Sequence, residues 1–187
     1  FQLLISIILL EKGVKKLFLP VNTPRIIEKI ARDFSAEVVY TPTSYQVPMQ
    51  RHYQYLEEVN EFESPYFQHF HDAFYGLGLI LEKIAREETT LARIVDSLPE
   101  FYLNKAEFPC NWREKGRVIK SLAEKSGEDS DLIDGVRFNH ENGWALIIPD
   151  SEKPMFHIFA EGDDMETAES LTGFYLKEIQ ETIKKEK

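Results

Sequence analysis

The chain has 187 residues, 43% of them hydrophobic and 29% charged, which is ordinary for a globular protein of one large or two small domains. Its 22 Lys and Arg against 32 Asp and Glu give a formal net charge of −10, so nucleic acid and anionic membrane are poor partners. A single cysteine, Cys110, excludes an internal disulfide and fits a reducing cytoplasmic location.

The N-terminal run FQLLISIILL is apolar throughout but is too short to span a bilayer. It has no initiator Met and no basic region before the apolar run, which argues against a signal peptide. We expect it to form a buried helix. We interpret the chain as a fragment of a longer protein whose N-terminal portion is missing.

Two strands joined by a helix are predicted next. Lys16–Pro20 and Glu37–Thr41 have the composition of strands, and apolar residues at helical spacing lie between them up to Phe34. Thr23 is predicted to be the N-cap of this helix, with Pro24 at its first position. A strand, helix, strand unit predicts parallel pairing with a right-handed crossover.

The segment from Pro42 to Val59 is rich in Tyr and contains Arg51 and His52, a composition that can stack on bases or sugars. In an acidic chain such residues more often pack a loop onto a sheet, so we do not predict nucleic-acid binding. His69 and His71 alternate rather than follow helical metal spacing, and they indicate a cap or interface rather than a metal site.

Apolar periodicity predicts helices over Asp72–Glu88 and Thr90–Leu98, and Pro99 ends the second. Phe101–Phe108 is predicted to be an extended segment that closes the first domain. We therefore predict an α/β domain with a mixed, largely parallel sheet over residues 1–109 and a second domain over residues 110–187.

The second domain is predicted to be a small α+β unit of a helix, antiparallel strands and a final helix. The predicted elements are a helix at Trp112–Lys125, strands at Val136–Phe138, Trp144–Ile148 and Met155–Ala160, and a last helix beginning at Asp164 or Thr167. His140–Gly143 predicts a hairpin turn between the first two strands. Pro149 and Pro154 bound a polar loop that projects from the sheet end and is available for contact.

This order of Asp-Gly-Val strand, Gly-Trp strand, polar loop ending in Pro, Ile-aromatic-Ala-Glu strand and Glu-Thr-Ala-Glu helix resembles the phosphomannomutase/phosphoglucomutase (α-D-phosphohexomutase) family. The resemblance covers nearly the whole chain and implies the third and fourth domains of a four-domain architecture. The Phe-x-x-Phe-His-x-Ala-Phe pattern at Phe67–Phe74 resembles the mutase-like region of bacterial nucleotidyltransferase–phosphomannomutase fusion proteins.

The resemblance implies that the loop between the prolines contacts the phosphate of a hexose phosphate. Active members have approximately Arg-Pro-Ser-Gly-Thr-Glu-Pro there, whereas Ile148 replaces the Arg and Asp150 and Glu152 add two anions. The remaining candidate donors are Ser151, Lys153 and His157, the last at the place of a second family Arg. The loop is either an altered ligand loop or a solvated turn, and the sequence leaves both open.

Glu61 matches the one retained residue of the family's sugar-selecting motif, approximately Gly-Glu-x-Ser-Gly-His. A carboxylate there can accept two hydroxyl hydrogen bonds from vicinal sugar oxygens. The equal alternative is an exposed acid in an acidic loop. The predicted substrate-binding residues are thus Glu61, Ser151, Lys153 and His157.

The family's phosphorylated serine and Asp-rich magnesium loop are not found in this sequence, so we assign it no catalytic residue, metal site or cofactor; magnesium is implied for active parents. The resemblance implies an isomerase of sugar-phosphate metabolism whose active members move a phosphoryl group within a hexose phosphate. The alternative is a non-catalytic regulatory or assembly module joined to a sugar-nucleotide nucleotidyltransferase. The missing N-terminal domains are expected partners, and a homo-oligomer is left open.

Overall fold

The computed structural model describes residues 1–44, 46–59, 72–126 and 133–184. The chain divides into two compact units, Phe1–Glu100 and Phe101–Lys187. The second unit begins before the predicted domain start at Cys110, because the extended segment assigned to the first domain is a strand of the second unit's sheet. None of the described helices combines the length and hydrophobicity needed to cross a bilayer.

The first unit is the predicted α/β arrangement. Its described elements are α1 (Gln2–Glu11), β1 (Lys16–Pro20), α2 (Ile26–Asp33), β2 (Glu37–Thr41), α3 (Gln46–Glu58), α4 (Ala73–Arg86) and α5 (Leu91–Asp96). Strands β1 and β2 pair in parallel, with Lys16 opposite Glu37 and Pro20 opposite Thr41. The parallel pairing predicted from the strand, helix, strand pattern is therefore confirmed.

Helix α1 is buried in this unit, as predicted from its apolar sequence. One side of the helix, including Leu4 and Ile8, packs with Leu79, Ile80 and Ile94 of α4 and α5. The other side contributes Leu3 and Leu10 to a cluster with β1 and α2. Because α1 contacts apolar neighbours on both sides, it has no solvated face that would require polar residues.

The predicted start of α2 is wrong. The Thr23 N–H bonds the carbonyl of Pro20 at 2.9 Å in a turn after β1, and the residue is buried. The N-cap is Arg25, which makes no side-chain capping bond. By contrast, the Asp72 carboxylate accepts from two N–H groups at the start of α4, and the Thr90 hydroxyl caps α5.

The second unit is a four-stranded antiparallel sheet with two helices. Its described elements are β3 (Tyr102–Pro109), α6 (Trp112–Ser126), β4 (Val136–His140), β5 (Gly143–Pro149), β6 (Met155–Gly162) and α7 (Met165–Lys184). The strand order is β3-β6-β5-β4. The predicted helix, three strands and helix are all present, and β3 adds a fourth strand that pairs with β6.

The β4–β5 hairpin forms where the turn residues predict it, with Glu141 and Asn142 at the turn. Glycine is required at the start of β5 by close packing of the backbone. A Cβ on Gly143 would lie 2.1 Å from the carbonyl oxygen of Glu161 on β6. The hairpin can therefore pair with β6 only because this residue has no side chain.

The sheet has two different faces. One packs against α6 and α7 and holds the core, which includes Val136, Ile147, Phe156, Ile158 and Tyr175. Register places the following residues on the other face: Leu103, Lys105, Glu107, Arg137, Asn139, Trp144, Leu146, Ile148, His157, Phe159 and Glu161. This mixed polar and apolar face ends at the loop between β5 and β6.

Candidate functional site

The loop of residues 150–154 joins β5 to β6 and is closed by its own backbone. The Asp150 N–H donates to the carbonyl of Met155 at 3.0 Å, and the Met155 N–H donates to the carbonyl of Lys153 at 2.9 Å. The Cys110 N–H, which follows β3, donates to the carbonyl of Pro154 at 2.8 Å. The loop is thus tied to the sheet at both ends, and its tip stays exposed.

The Asp150 carboxylate accepts hydrogen bonds from three donors in and beside this loop. One oxygen accepts the N–H groups of Glu152 at 2.7 Å and Lys153 at 2.8 Å. The other lies 2.7 Å from Nε2 of His157. The bond from His157, followed by the two backbone N–H bonds, holds the pKa of Asp150 well below its usual range. Asp150 is therefore an anion at neutral pH.

His157 lies between two acids, on the sheet face opposite the core that packs with α6 and α7. Its Nε2 faces Asp150, and its Nδ1 is 3.5 Å from a carboxylate oxygen of Glu107 on β3. Register explains this position, because Glu107 and His157 are opposite each other on adjacent strands. The imidazole is thereby fixed in orientation beside the loop.

Lys115, in the first turn of α6, lies beneath the loop. It is 7% exposed, and its ammonium donates to the carbonyl oxygens of Asp150 and Lys153. The same nitrogen lies 3.9 Å from the ring centroid of Trp112. A buried ammonium must find acceptors, and here the loop's own carbonyls supply them.

The structure brings three of the four predicted substrate-binding residues together. Ser151 and Lys153 are exposed at the loop tip, and His157 is partly exposed on β6 next to it. Glu61 lies outside the described residues, as do His69 and His71. Ile148, where the family has an Arg, is buried at 7% exposure on the same sheet face as His157.

Two contributors were missed by sequence reasoning. Lys115 and Glu107 come from α6 and β3, and nothing in their local sequence indicates that they meet the loop. A third feature, the bonding of Asp150 to the loop's own N–H groups, had a readable signal. An Asp followed by a short polar loop commonly accepts from the N–H groups two and three residues later.

Chemically, the loop directs three hydrogen-bond donors at one anionic group, the Asp150 carboxylate. Two neighbouring N–H groups and an imidazole converge on the Asp150 carboxylate, and such donors also bind phosphate oxygens. No group of three or more His, Cys, Asp or Glu side chains that could hold a metal ion occurs among the described residues. The converging N–H groups and imidazole are hydrogen-bond donors, which suit an anion.

Proteins of similar sequence are hexose-phosphate mutases. The chain is 25% identical over 91% of its length to a phosphoglucosamine/phosphogalactosamine mutase from Sulfurisphaera tokodaii, covering 39% of that protein. It is 25% identical over 98% of its length to a phosphoglucomutase/phosphomannomutase from Thermococcus kodakarensis, covering 42% of it. A phosphoglucosamine mutase from Methanocaldococcus jannaschii is 26% identical over 92% of the chain, which covers 41% of that enzyme.

This chain is related to the phosphohexomutases. No family model matches it. It spans about 40% of the length of the curated phosphohexomutases it matches. The similarity nonetheless extends over 98% of this chain in the Thermococcus kodakarensis relative, so it includes both units. The family resemblance seen in the sequence predicted this extent.

Solved phosphohexomutase structures have the same fold. A phosphoglucomutase/phosphomannomutase family protein from Burkholderia thailandensis superposes with a TM-score of 0.73 at 16% identity, covering 97% of this chain and 41% of that one. An Aspergillus fumigatus N-acetylphosphoglucosamine mutase, solved with GlcNAc-6P and magnesium, gives a TM-score of 0.56 at 11% identity, covering 97% of this chain and 43% of that one. The predicted fold class is therefore confirmed.

Proposed function

We propose that this chain is the part of a phosphomannomutase/phosphoglucomutase-like protein that contacts the phosphate of a hexose phosphate. The observation that supports this most directly is that the Glu152 and Lys153 N–H groups and the His157 imidazole converge on one anion, the Asp150 carboxylate. Ser151 and the Lys153 ammonium are exposed beside that position and add further donors. The relatives named above act on hexose phosphates, which gives the anion its chemical class.

The chain has a binding role in this proposal and no catalytic one. Phosphoryl transfer needs an acceptor oxygen and neutralisation of the developing charge by a metal ion or cations. The serine loop and Asp-rich magnesium loop that the family resemblance implies do not occur in this sequence. Both would come from other domains, together with the magnesium of active parents.

A second function, a non-catalytic regulatory or assembly module attached to a sugar-nucleotide nucleotidyltransferase, is favoured by a different observation. The Asp150 carboxylate already accepts hydrogen bonds from the donors that a phosphate would use. An incoming phosphate dianion must therefore displace this carboxylate from them. Ile148, at the place of a family Arg, contributes no charge to offset the repulsion from Asp150 and Glu152. Both features weaken phosphate binding relative to a loop without internal anions.

Calorimetric titration of the chain with glucose 1-phosphate and mannose 1-phosphate tests the binding role. Because Asp150 competes for the donors, we expect weak binding, with a Kd of about 1 mM. Replacement of Lys153 by alanine removes one exposed cation and should weaken binding by about twofold to fivefold. Lys120→Ala, at an exposed lysine of α6, is the matched control and should leave the Kd unchanged.

Two outcomes of this titration have different meanings. The absence of binding heat at millimolar ligand would eliminate Ser151, Lys153 and His157 as a hexose-phosphate site and would favour the module of the second function. Binding that Lys120→Ala weakens as much as Lys153→Ala would instead indicate nonspecific attraction to the surface.

A further inference from the structure

Lys115 is a buried cation whose ammonium contacts the backbone of the 150–154 loop. Its ammonium donates to the carbonyl oxygens of Asp150 and Lys153 and lies over the face of Trp112. These two carbonyls are on either side of Ser151 and Glu152, at the exposed tip. A single point beneath the loop thus fixes the backbone on both sides of that tip.

The two carbonyls that Lys115 holds lie in the peptide units at the two ends of the loop tip, and the peptide units that carry the Glu152 and Lys153 N–H groups lie between them. In a trans peptide, the N–H of a residue points away from the carbonyl of the residue before it, and no cis peptide occurs in the described chain. The Asp150 carbonyl points toward Lys115, so the Ser151 N–H is directed away from it. The Glu152 and Lys153 N–H groups lie between the two fixed carbonyls and meet at the Asp150 carboxylate.

We propose that Lys115 is the positioning residue of this loop: by holding the carbonyls of Asp150 and Lys153, its ammonium keeps the N–H groups of Glu152 and Lys153 directed at one anion. This inference rests on the proposed function, since it assigns to Lys115 the task of preparing the donors for a phosphate. The positive charge behind the loop also offsets part of the repulsion from the acidic side chains around it.

The chemistry of the contact is specific to lysine. A compact ammonium can donate to two carbonyls and still face an aromatic ring, whereas a planar guanidinium has a fixed fork of donors. Lys115→Arg keeps the charge and should restore part of the effect. Lys115→Met keeps most of the length of the side chain and removes both the charge and the donors.

Amide hydrogen exchange, measured by NMR on the ligand-free chain, tests the assignment without reference to phosphate. In Lys115→Met we expect the Glu152 and Lys153 amides to exchange about tenfold faster or more, because hydrogen bonds from a charged donor hold the loop. The Ile147 and Ile158 amides of the sheet should keep their rates, and Lys115→Arg should give intermediate rates at the loop. Lys120→Met, on the exposed side of the same helix, should change neither set.

The same measurement can overturn the proposal in two ways. If the two loop amides keep their wild-type rates in Lys115→Met, the lysine does not position them. If the sheet amides accelerate as much as the loop amides, Lys115 only stabilises the unit as a whole. Should Lys115→Met fail to fold, the Lys115→Arg variant is read by the same criteria.

Phosphate binding is tested in an Asp150→Ala background, where the internal anion is gone. Titration with inorganic phosphate, followed at the Glu152 and Lys153 amides, should show binding in Asp150→Ala. Adding Lys115→Met should weaken this binding about tenfold, and adding Lys120→Met should not. If Asp150→Ala binds no phosphate, the proposed function fails while hydrogen exchange still decides the role of Lys115. If it binds and Lys115→Met has no effect, the positioning role fails alone.

Discussion

Asp150 affects both the anion-binding chemistry of the loop and the stability of the protein. Its carboxylate accepts from His157 and from two backbone N–H groups, and these bonds lower its pKa from the usual range. A carboxyl group with a lowered pKa in the folded state contributes stability above its unfolded pKa of about 3.9 and loses it as the pH falls through the folded value.

We therefore predict that Asp150→Asn lowers the free energy of unfolding most at neutral pH and little in strong acid. The free energy of unfolding, measured by urea denaturation, should be lower for the variant than for wild type at neutral pH. The difference should shrink steadily below about pH 4. Asp163→Asn, at an exposed aspartate just after β6, serves as the control for the loss of one carboxylate. A deficit for Asp150→Asn that stayed constant down to the acid limb would contradict an ionised, hydrogen-bonded Asp150.

Some residues of the candidate site could be predicted from the sequence and others could not. Ser151, Lys153 and His157 could be found because a motif with flanking prolines fixes their spacing along the chain. Lys115 could not, because its contact with Asp150 and Lys153 depends on how α6 packs against the sheet. The sequence prediction treated Asp150 only as an anion that repels a phosphate, although an Asp before a short polar loop also signals acceptance from the N–H groups two and three residues later.

The β4–β5 hairpin lies at the start of β5, the strand that pairs with β6 and leads to the loop. Gly143 lies at the start of β5, where a Cβ would approach the Glu161 carbonyl oxygen to 2.1 Å. Backbone atoms cannot yield as a flexible side chain can, so strand β5 would have to move away from β6. Any shift at this end of β5 changes its pairing with the strand that bears His157.

Gly143→Ala should consequently destabilise the protein by about 1–3 kcal/mol, as overpacking in a close-packed region does. Gly173→Ala is the matched opposite case. Gly173 lies inside α7, and a Cβ there would meet nothing within 4 Å. That substitution should stabilise by about 0.5–1 kcal/mol, because alanine restricts the unfolded chain and favours the helix. Chemical denaturation of both variants gives the two signs, and equal losses at both positions would refute the argument from backbone contact.

Elements with local signals were predictable from the sequence, and one with a distant partner was not. Strands β1, β2, β4, β5 and β6 have their own composition and turn residues. Strand β3 was recognised as extended but assigned to the first domain, because its partner β6 is separated from it by a helix and a hairpin. Likewise Thr23-Pro24 has the composition of a helix start, but the buried Thr23 hydroxyl accepts no capping hydrogen bond and the helix begins at Ile26.

For the whole molecule, the decisive fact is that the chain spans about 40% of the phosphohexomutases it matches. A reaction that moves a phosphoryl group within a hexose phosphate needs its phosphate contacts, its phosphorylated group and its charge neutralisation to be present together. In the proposed function this chain supplies the contacts alone. Overall similarity to the mutases therefore does not by itself assign it an activity.

The corresponding prediction concerns turnover. The isolated chain, incubated with magnesium and with glucose 1-phosphate or mannose 1-phosphate, should form no 6-phosphate product above the uncatalysed level, because the sequence offers no serine loop to accept the phosphoryl group. A longer protein that contains this chain is assayed in parallel. Turnover by the longer protein, reduced by Lys153→Ala but not by Lys120→Ala, would support the phosphate-contacting role over the non-catalytic module. If a longer protein that contains both a serine loop and a magnesium loop is inactive, the non-catalytic module is favoured instead. Asp150→Ala in the same assay would then test whether the hydrogen bonds that Asp150 accepts within the loop cause the inactivity.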